Sequence, residues 1–274
     1  MRATTIFTVS GIVVFAAFFL GAFARLTDST DVSGPVALGT FELFGAMACL
    51  YLLSKSQGGE ASALDWIACA LAILIASAGF AGYSITLFSL YLMLGAAGDH
   101  NAKAAGTVAA AVVVQALWAP MIFAKLSFFF LEIDAGVVGW LISLIIPGAS
   151  WSGTVVSTPS GHDVVITAPC ASFHNLSLAS LCWVTLTMLH RPYWVRSDIY
   201  TGLVAVLIQF GFNVWRLTFV CLSLPMYEFW HEGPGKHIFS GVATACAIIF
   251  VQVSLVMRDR RDRQKPTIGA AAIS

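Results

Sequence analysis

Residues 238–265 read IFSGVATACAIIFVQVSLVM followed by RDRRDRQK, an uncharged stretch of twenty residues and then a charged tail. The hydrocarbon core of a bilayer is about 30 Å thick, and a helix needs about 20 apolar residues to cross it. The stretch therefore predicts a membrane-spanning helix. Basic residues cluster on the cytoplasmic side of such helices, so the tail, 258–274, is expected to be cytoplasmic.

The same pattern recurs along the chain and predicts an all-α polytopic membrane protein with about eight transmembrane helices. Hydrophobic residues make up 58% of the 274 residues and charged residues only 10%, whereas a soluble domain carries about 25% charged residues. The first span is expected to be retained and not removed as a signal peptide. The predicted spans are 5–24, 36–54, 64–80, 81–97, 104–124, 171–190, 198–223 and 238–257.

Two stretches are ambiguous. Residues 64–97 are too long for one comfortable span, and Gly79, Gly82 and Tyr83 are suited to a tight turn between two helices. Residues 127–147 carry Glu132 and Asp134 and end at Pro147-Gly148, which favours an interfacial or re-entrant helix. The number of spans is accordingly seven or eight.

The distribution of basic residues predicts the orientation of the chain. The tail and the loop His190–Asp198, with Arg191 and Arg196, are separated by two spans and fall on one side, which is expected to be cytoplasmic. Arg2, Lys55 and Lys103 join them, whereas Arg25 and Lys125 fall outside. Residues 150–169 and 224–237 then face outward, with Lys236 as their one basic residue. We treat 1–274 as a single membrane domain, with N-terminal helices at 1–149 and a core at 150–257.

The segment Trp151–Thr167 has a different character from the spans. The β-branched runs Thr154–Val156 and Val164–Thr167 flank the turn-forming residues 158–163, a pattern that predicts a small extracytoplasmic hairpin. Pro169 ends it, and Cys170 stands at or next to the start of the following helix. Because the N-terminal end of a helix stabilises a thiolate, Cys170 is a candidate nucleophile, with a buried packing residue as the simpler interpretation.

Two further residues are predicted to lie near the same membrane face. Arg216 is a charge inside a span, and Gln209 and Asn213 share its helical face, which favours a polar site over a side chain that only reaches towards headgroups. His231 and His237 precede the last span and are candidate general bases, or interfacial anchors. His174 lies one helical turn after Cys170 on the same face, and it is expected either to contact the thiol or to cap polar backbone near the interface. The neutral net charge argues against nucleic-acid binding, and the spacing of the six cysteines indicates no metal site. No cofactor is expected.

At these residues the sequence resembles the exosortase/archaeosortase family of membrane cysteine peptidases and presumed transpeptidases. The matching motifs are Ala168-Pro169-Cys170-Ala171-Ser172-Phe173-His174, Asn213-Val214-Trp215-Arg216, and His231 followed by Gly235 and Ile238-Phe239. Ala171-Ser172 replaces the family's common Ser-Gly, and His174 stands where many members have Arg, which indicates a divergent subfamily. The resemblance makes Cys170 the nucleophile, Arg216 the essential arginine and His231 the third residue, preferred over His237 because Gly235 follows it by four residues.

The resemblance also implies a function. Family substrates are exported proteins that end in a short Pro-containing motif, one spanning helix and a basic tail, and cleavage occurs at the outer face of the inner or plasma membrane. The partners implied are such substrates and the lipid bilayer. Two alternatives are a transporter or channel in which Arg216 lines the path, and a non-catalytic membrane assembly factor.

Overall fold

The computed structural model describes residues 1–28, 39–95 and 99–264, without the side chains of residues 25–28, 262 and 264. Several predictions fall outside this part: residues 36–38 and 96–97 of two predicted spans, the side chain of Arg25, and the tail from Lys265 onwards. The helices are α1 (Ala3–Asp28), α2 (Thr40–Lys55), α3 (Ala63–Ser77), α4 (Ala81–Gly95), α5 (His100–Val113), α6 (Ala119–Ile145), α7 (Ser172–His190), α8 (Arg196–Leu222), the short α9 (Leu224–Tyr227) and α10 (Gly235–Gln264).

The prediction of an all-α membrane protein is confirmed. In the described residues, four helical stretches are long and apolar enough to cross a bilayer: Ala3–Ala24, His100–Ile145, Arg196–Leu222 and Gly235–Arg261. The other four predicted spans coincide with α2, α3, α4 and α7, which have 16, 15, 15 and 19 residues. These helices are short relative to the bilayer or less apolar, so the number of eight spans stays a prediction.

Both ambiguous stretches have a definite structure. The described part of residues 64–97, up to Gly95, forms two helices, α3 and α4, joined by a turn in which Gly79 has φ +89°. Gly82 and Tyr83 already belong to α4. Residues 127–145 form the later part of α6, which follows α5 through a π-helical turn at Val114–Trp118. The helix from His100 to Ile145 has 46 residues, or about 69 Å at 1.5 Å per residue. It does not turn back, as a re-entrant segment would.

A small antiparallel sheet follows α6. The predicted hairpin forms β2 (Val155–Ser157) and β3 (Asp163–Val165), with Val156 opposite Val164. A third strand, β1 (Ser150–Ser152), which the sequence did not predict, pairs with β2. Val156, Val164 and Ile166 are buried in one hydrophobic cluster with residues of α6 and α8, and Cys170 belongs to that cluster. The sheet therefore packs directly beside the candidate nucleophile.

The opposite end of the helix bundle collects the predicted cytoplasmic loops, and we call it the basic end. Residues 1–3 pair with the segment before α3, where Arg2 bridges to Glu60. Asn101 donates a hydrogen bond to the carbonyl of Lys55. The ring of His100 contacts that of Tyr193 in the loop between α7 and α8. The loops that were assigned to one side from charge alone thus lie together.

Candidate active site

Cys170 is held just before α7 by a tight turn. Residues Ala168–Cys170 form one 3₁₀ turn, in which the Cys170 amide donates to the carbonyl of Thr167 at 2.8 Å. Pro169 suits this turn because its ring fixes φ in the helical range. Ala171 is extended, and α7 begins at Ser172. Cys170 is 4% exposed and lies next to the N-terminus of α7, as the sequence predicts.

His231 is brought to Cys170 by the segment between α8 and α10. Its Nε2 lies 3.0 Å from the Cys170 Sγ, although the two residues are 61 positions apart. His231 sits in a π-helical turn, Glu228–Glu232, that follows α9. Tyr227 stacks on its imidazole, with ring centroids 4.8 Å apart and planes 21° from parallel. A Cβ at Gly235 would lie 2.6 Å from the Trp230 ring, so this turn requires glycine there.

A buried polar network fixes the backbone around Cys170. Asn213 donates through Nδ2 to the Cys170 carbonyl at 3.0 Å and to the Ser172 hydroxyl at 2.9 Å. Asp134 of α6 accepts from the Ser172 amide at 2.8 Å and from its hydroxyl at 2.7 Å. All three network side chains are buried. Because a carboxylate at a helix N-terminus satisfies free amides, Asp134 caps α7, and the network as a whole joins α6, α7 and α8 at the Cys170 turn.

Arg216 lies on α8 in the wall of a cavity beside this turn. Arg216 is 9% exposed, and its Nε has no hydrogen-bond partner in the described part of the chain. The cavity has a volume of about 210 Å³. The side chains of Gln209 and Asn213 line it together with those of His174, Lys236 and His237. With one guanidinium, one ammonium and two imidazoles around it, this basic cavity is suited to a negatively charged group.

The environment of His231 favours its neutral form. Burial lowers the pKa of His231, the positive charges of Arg216 and Lys236 lower it further, and Glu232 opposes them. A neutral imidazole can accept a proton from a thiol, whereas an imidazolium cannot. The His231 Nδ1 has no hydrogen-bond partner in the described residues, so the stacked Tyr227 ring, and not a third polar residue, holds the imidazole plane.

The remaining predicted residues surround the Cys170–His231 pair. The contact of the thiol is with His231, while His174 lines the basic cavity and a second cavity on the other side of α7, and His237 lines only the basic one. Gln209 and Asn213 are buried on the same face of α8 as Arg216.

Sequence reasoning missed the roles of Asp134, Ser172 and Tyr227. An acidic residue within the apolar run of α6 was the available signal for Asp134. Within residues 1–28, 39–95 and 99–264, no group of three or more His, Cys, Asp or Glu residues is arranged to hold a metal ion.

These features define a helical membrane protein in which a buried thiol contacts a partly buried imidazole, beside a buried arginine, at one end of its bundle. The chain belongs to the transmembrane exosortase family: the model of that family (Exosortase_EpsH) matches residues 3–251. The resemblance seen in the sequence is thereby confirmed. No curated protein and no solved structure matches the chain. Family membership supports an exosortase-like role in protein sorting at a membrane.

Proposed function

We propose that this protein is a membrane-embedded cysteine peptidase or transpeptidase that cleaves a C-terminal sorting signal from exported proteins at the outer membrane face. The observation that carries the proposal is the 3.0 Å contact between Cys170 Sγ and His231 Nε2. A nucleophile and a base within hydrogen-bond reach form the minimal unit of covalent catalysis.

The reaction begins when the thiol proton passes from Cys170 to His231 and the sulfur attacks the scissile carbonyl carbon. The tetrahedral intermediate then loses its amine, which takes the proton from His231 and leaves with the C-terminal signal. A thioester on Cys170 remains. Hydrolysis by water would release the mature protein, and attack by another nucleophile would transfer it.

Arg216 supplies positive charge next to the reacting atoms. Its unpaired Nε and the basic cavity that it shares with Lys236 and His237 favour either the oxyanion of the intermediate or an anionic group of the substrate. A preorganised donor of this kind typically contributes about 10²–10³ in rate. Gln209 and Asn213 support the arginine by providing polar neighbours within the same cavity.

The proposed orientation follows from the two ends of the bundle. The basic end carries Arg2, Lys55 and the loop between α7 and α8, which the positive-inside rule assigns to the cytoplasm. Cys170 is at the start of α7, and that loop follows its end. The site would accordingly face the extracytoplasmic side of the inner or plasma membrane, where an exported substrate anchored by a C-terminal helix presents its motif.

The test is co-expression with an exported reporter that ends in a Pro-containing motif, a spanning helix and a basic tail. Cys170→Ala and Cys170→Ser should insert normally and leave the reporter uncleaved, whereas Cys221→Ala should process it normally. Cys221 is a matched control because it is a buried cysteine of the same hydrophobic cluster. A thioester between Cys170 and the reporter, trapped and detected by mass spectrometry, would establish the reaction class. Normal processing by both Cys170 variants would refute the proposal.

The same variants separate the alternatives. A transporter or channel that uses Arg216 would retain its flux in Cys170→Ala. An assembly factor would respond to Arg216→Ala by lower abundance alone. No specific observation on the described residues favours either function.

A further inference from the structure

The small sheet beside the active site has an open edge along β3. In the order β1-β2-β3, β3 is an outer strand, so only one of its two sides is paired within the described residues. Asp163, Val165 and Thr167 are exposed, whereas Val164 and Ile166 are buried in the hydrophobic cluster. The open side of a strand presents N–H and C=O groups that can pair with another chain. We call this side, from Asp163 to Thr167, the β3 edge.

The hydrogen bonds of the sheet show which backbone groups lie on this edge. The amide of Ile166 donates to the carbonyl of Thr154 at 2.8 Å, and the amide of Thr158 donates to the carbonyl of His162 at 3.3 Å. Both hydrogen bonds join residues that face each other at the two ends of the β2–β3 pairing. In an antiparallel ladder, pairs that exchange hydrogen bonds alternate with pairs that do not. These two contacts therefore fix the pattern for every residue between them.

The residues between these contacts divide into two kinds. Val164 and Val156 form a hydrogen-bonded pair, whereas Asp163 and Val165 stand at non-bonded positions of the ladder. The N–H and C=O groups of Asp163 and Val165 consequently point away from β2. In the part of the chain that the structure describes, no hydrogen bond is formed by these groups. The β3 edge thus offers backbone donors and acceptors that only water or a further chain can satisfy.

The same edge leads directly to the candidate nucleophile. Thr167 continues the extended backbone of β3, with φ −112° and ψ 170°. Its hydroxyl oxygen lies 3.9 Å from the Cys170 Sγ. Because Asp163, Val165 and Thr167 follow one another at every second position, they lie on one side of the strand. A chain that pairs with this side is therefore guided to the reacting sulfur.

We propose that the β3 edge binds the substrate segment that precedes the scissile bond, as a fourth and parallel strand of the sheet. The inference rests on the proposed function of Cys170 and extends it to the way in which the substrate is held. Extended peptides commonly bind by adding a strand to an open sheet edge, where main-chain hydrogen bonds supply the affinity. Such pairing positions the scissile carbonyl and depends little on the side chains of the segment.

The direction of the added strand follows from the position of the sulfur. The C-terminal end of β3 is the end that reaches Cys170, because Thr167 is the residue in contact with it. The acyl segment of the substrate also has its C-terminal end at the sulfur, so the two chains run parallel. The leaving segment continues into a spanning helix. It therefore enters the membrane alongside α7, which begins at Ser172, and does not return along the sheet.

The first experiment tests the substrate backbone with the wild-type protein. Synthetic substrates with the motif, spanning helix and basic tail of the reporter each carry one N-methyl group, at successive positions before the scissile bond. N-methylation removes an amide hydrogen and keeps the side chain. In detergent, every second derivative should be cleaved about 2- to 10-fold more slowly than the parent, the effect of one hydrogen bond. The intervening derivatives should be cleaved at nearly the parent rate. Losses without this period of two overturn the added strand.

The second experiment makes the matching change in the protein. Val165→Pro removes the outward amide of Val165, and an edge strand tolerates proline there because no ladder hydrogen bond is lost. The KM for the unmethylated substrate should rise about 2- to 10-fold, with a smaller change in kcat, since a binding contact is lost. Val165→Ala keeps the amide and is the matched variant, so its KM should rise much less. Equal rises in both variants would assign the effect to the side chain and overturn the proposal.

Two further measurements keep the outcomes distinct. Iodoacetamide should alkylate Cys170 at the same rate with and without Val165→Pro, in a chain that lacks the other five cysteines, because a small reagent needs no added strand. If Val165→Pro unfolds, the N-methyl pattern with the wild type decides alone. Cleavage that depends on Cys170 but shows no period of two overturns the added strand only. Cleavage that survives Cys170→Ala overturns the proposed function.

Discussion

One helix, α8, carries two buried charged residues, Asp198 near its start and Arg216 near its end, and the two differ in their hydrogen-bond partners. Asp198 has no exposed surface, and it accepts hydrogen bonds from Arg191 at 3.3 Å, from Arg258 and from the Val195 amide. Arg216 is also buried, yet its Nε has no partner in the described residues. At about 1.5 Å per residue the two are about 27 Å apart, at the basic end and at the site end of the bundle.

The difference separates structural charges from charges kept for a ligand. Taking an ion out of water costs several kcal/mol, which Asp198 recovers through its two arginines and its helix-capping contact. It joins α8 to the loop before it and to α10. The Nε of Arg216 has no such partner in the described residues, so a bound anionic group would improve its environment. Buried charge alone indicates little, whereas buried charge without a partner indicates a site.

The largest effect that this comparison predicts is on stability, at the basic end. Asp198→Ala leaves Arg191 and Arg258 without their shared partner and should lower the free energy of unfolding by about 3–5 kcal/mol. Asp259→Ala removes a partly exposed pair with His190 and should cost about 0–1 kcal/mol. Both values come from detergent-unfolding titrations. Equal small losses for the two variants would mean that Asp198 is not a structural charge.

At the site end, the expected effect is on rate. Arg216→Gln should lower reporter cleavage by about 100- to 1000-fold, as expected for loss of one transition-state donor, without lowering the free energy of unfolding. Arg216→Lys should recover part of the rate because it restores the charge but not the planar guanidinium geometry. A variant that unfolds as readily as Asp198→Ala would show that Arg216, too, supports the fold.

Asp134 tests a position between these extremes, since it is paired but adjacent to the site. Asp134→Asn weakens the cap that holds the Cys170 turn and should lower the cleavage rate about tenfold, the effect of one charged hydrogen bond. Ser172→Ala should cost a similar factor, and the double variant should cost little more than either, because both remove one network. Alkylation of Cys170 by iodoacetamide, in a chain without the other five cysteines, should slow in parallel. Additive losses would show that the two residues act independently.

How far the sequence leads to this site depends on whether a feature is local. The length of the apolar stretches predicts the helices, and Gly79 predicts the turn between α3 and α4. The β-branched runs predict the strands β2 and β3. Cys170, Arg216 and His231 could be selected because each is a chemical exception in its surroundings and matches a family motif. The sequence favours His231 over His237 as the partner of the thiol, and in the structure it is His231 that contacts Cys170. The catalytic role of His231 stays a prediction.

The features that the sequence did not predict depend on distant contacts. Asp134 acquires its role from Ser172, 38 residues later, and no local pattern links the two. The strand β1 has only three residues and a polar composition; its Trp151 packs closely against Gly139 of α6, where a Cβ would lie 2.6 Å from the indole. The π-helical turns that carry Gln115 and His231 have no sequence signature at all. Tertiary packing, and not local propensity, decides each of these.

The smallest expected effect concerns the acid limb of the pH profile. Because Arg216 and Lys236 lower the pKa of His231 after the larger effect of burial, the imidazole stays neutral to lower pH than an ordinary histidine. Proton acceptance from Cys170 should persist correspondingly, and cleavage should fall only when His231 becomes protonated. Lys236→Gln removes one of the two positive charges, so the pKa of His231 should rise and the acid limb should move to higher pH.

Lys236 is exposed, so its contribution is screened and the movement should shrink as salt is added. Lys125→Gln, on α6 and not among the groups that act on His231, is the matched control and should leave the limb in place. A limb that moves to lower pH in Lys236→Gln would mean that a group other than His231 accepts the proton.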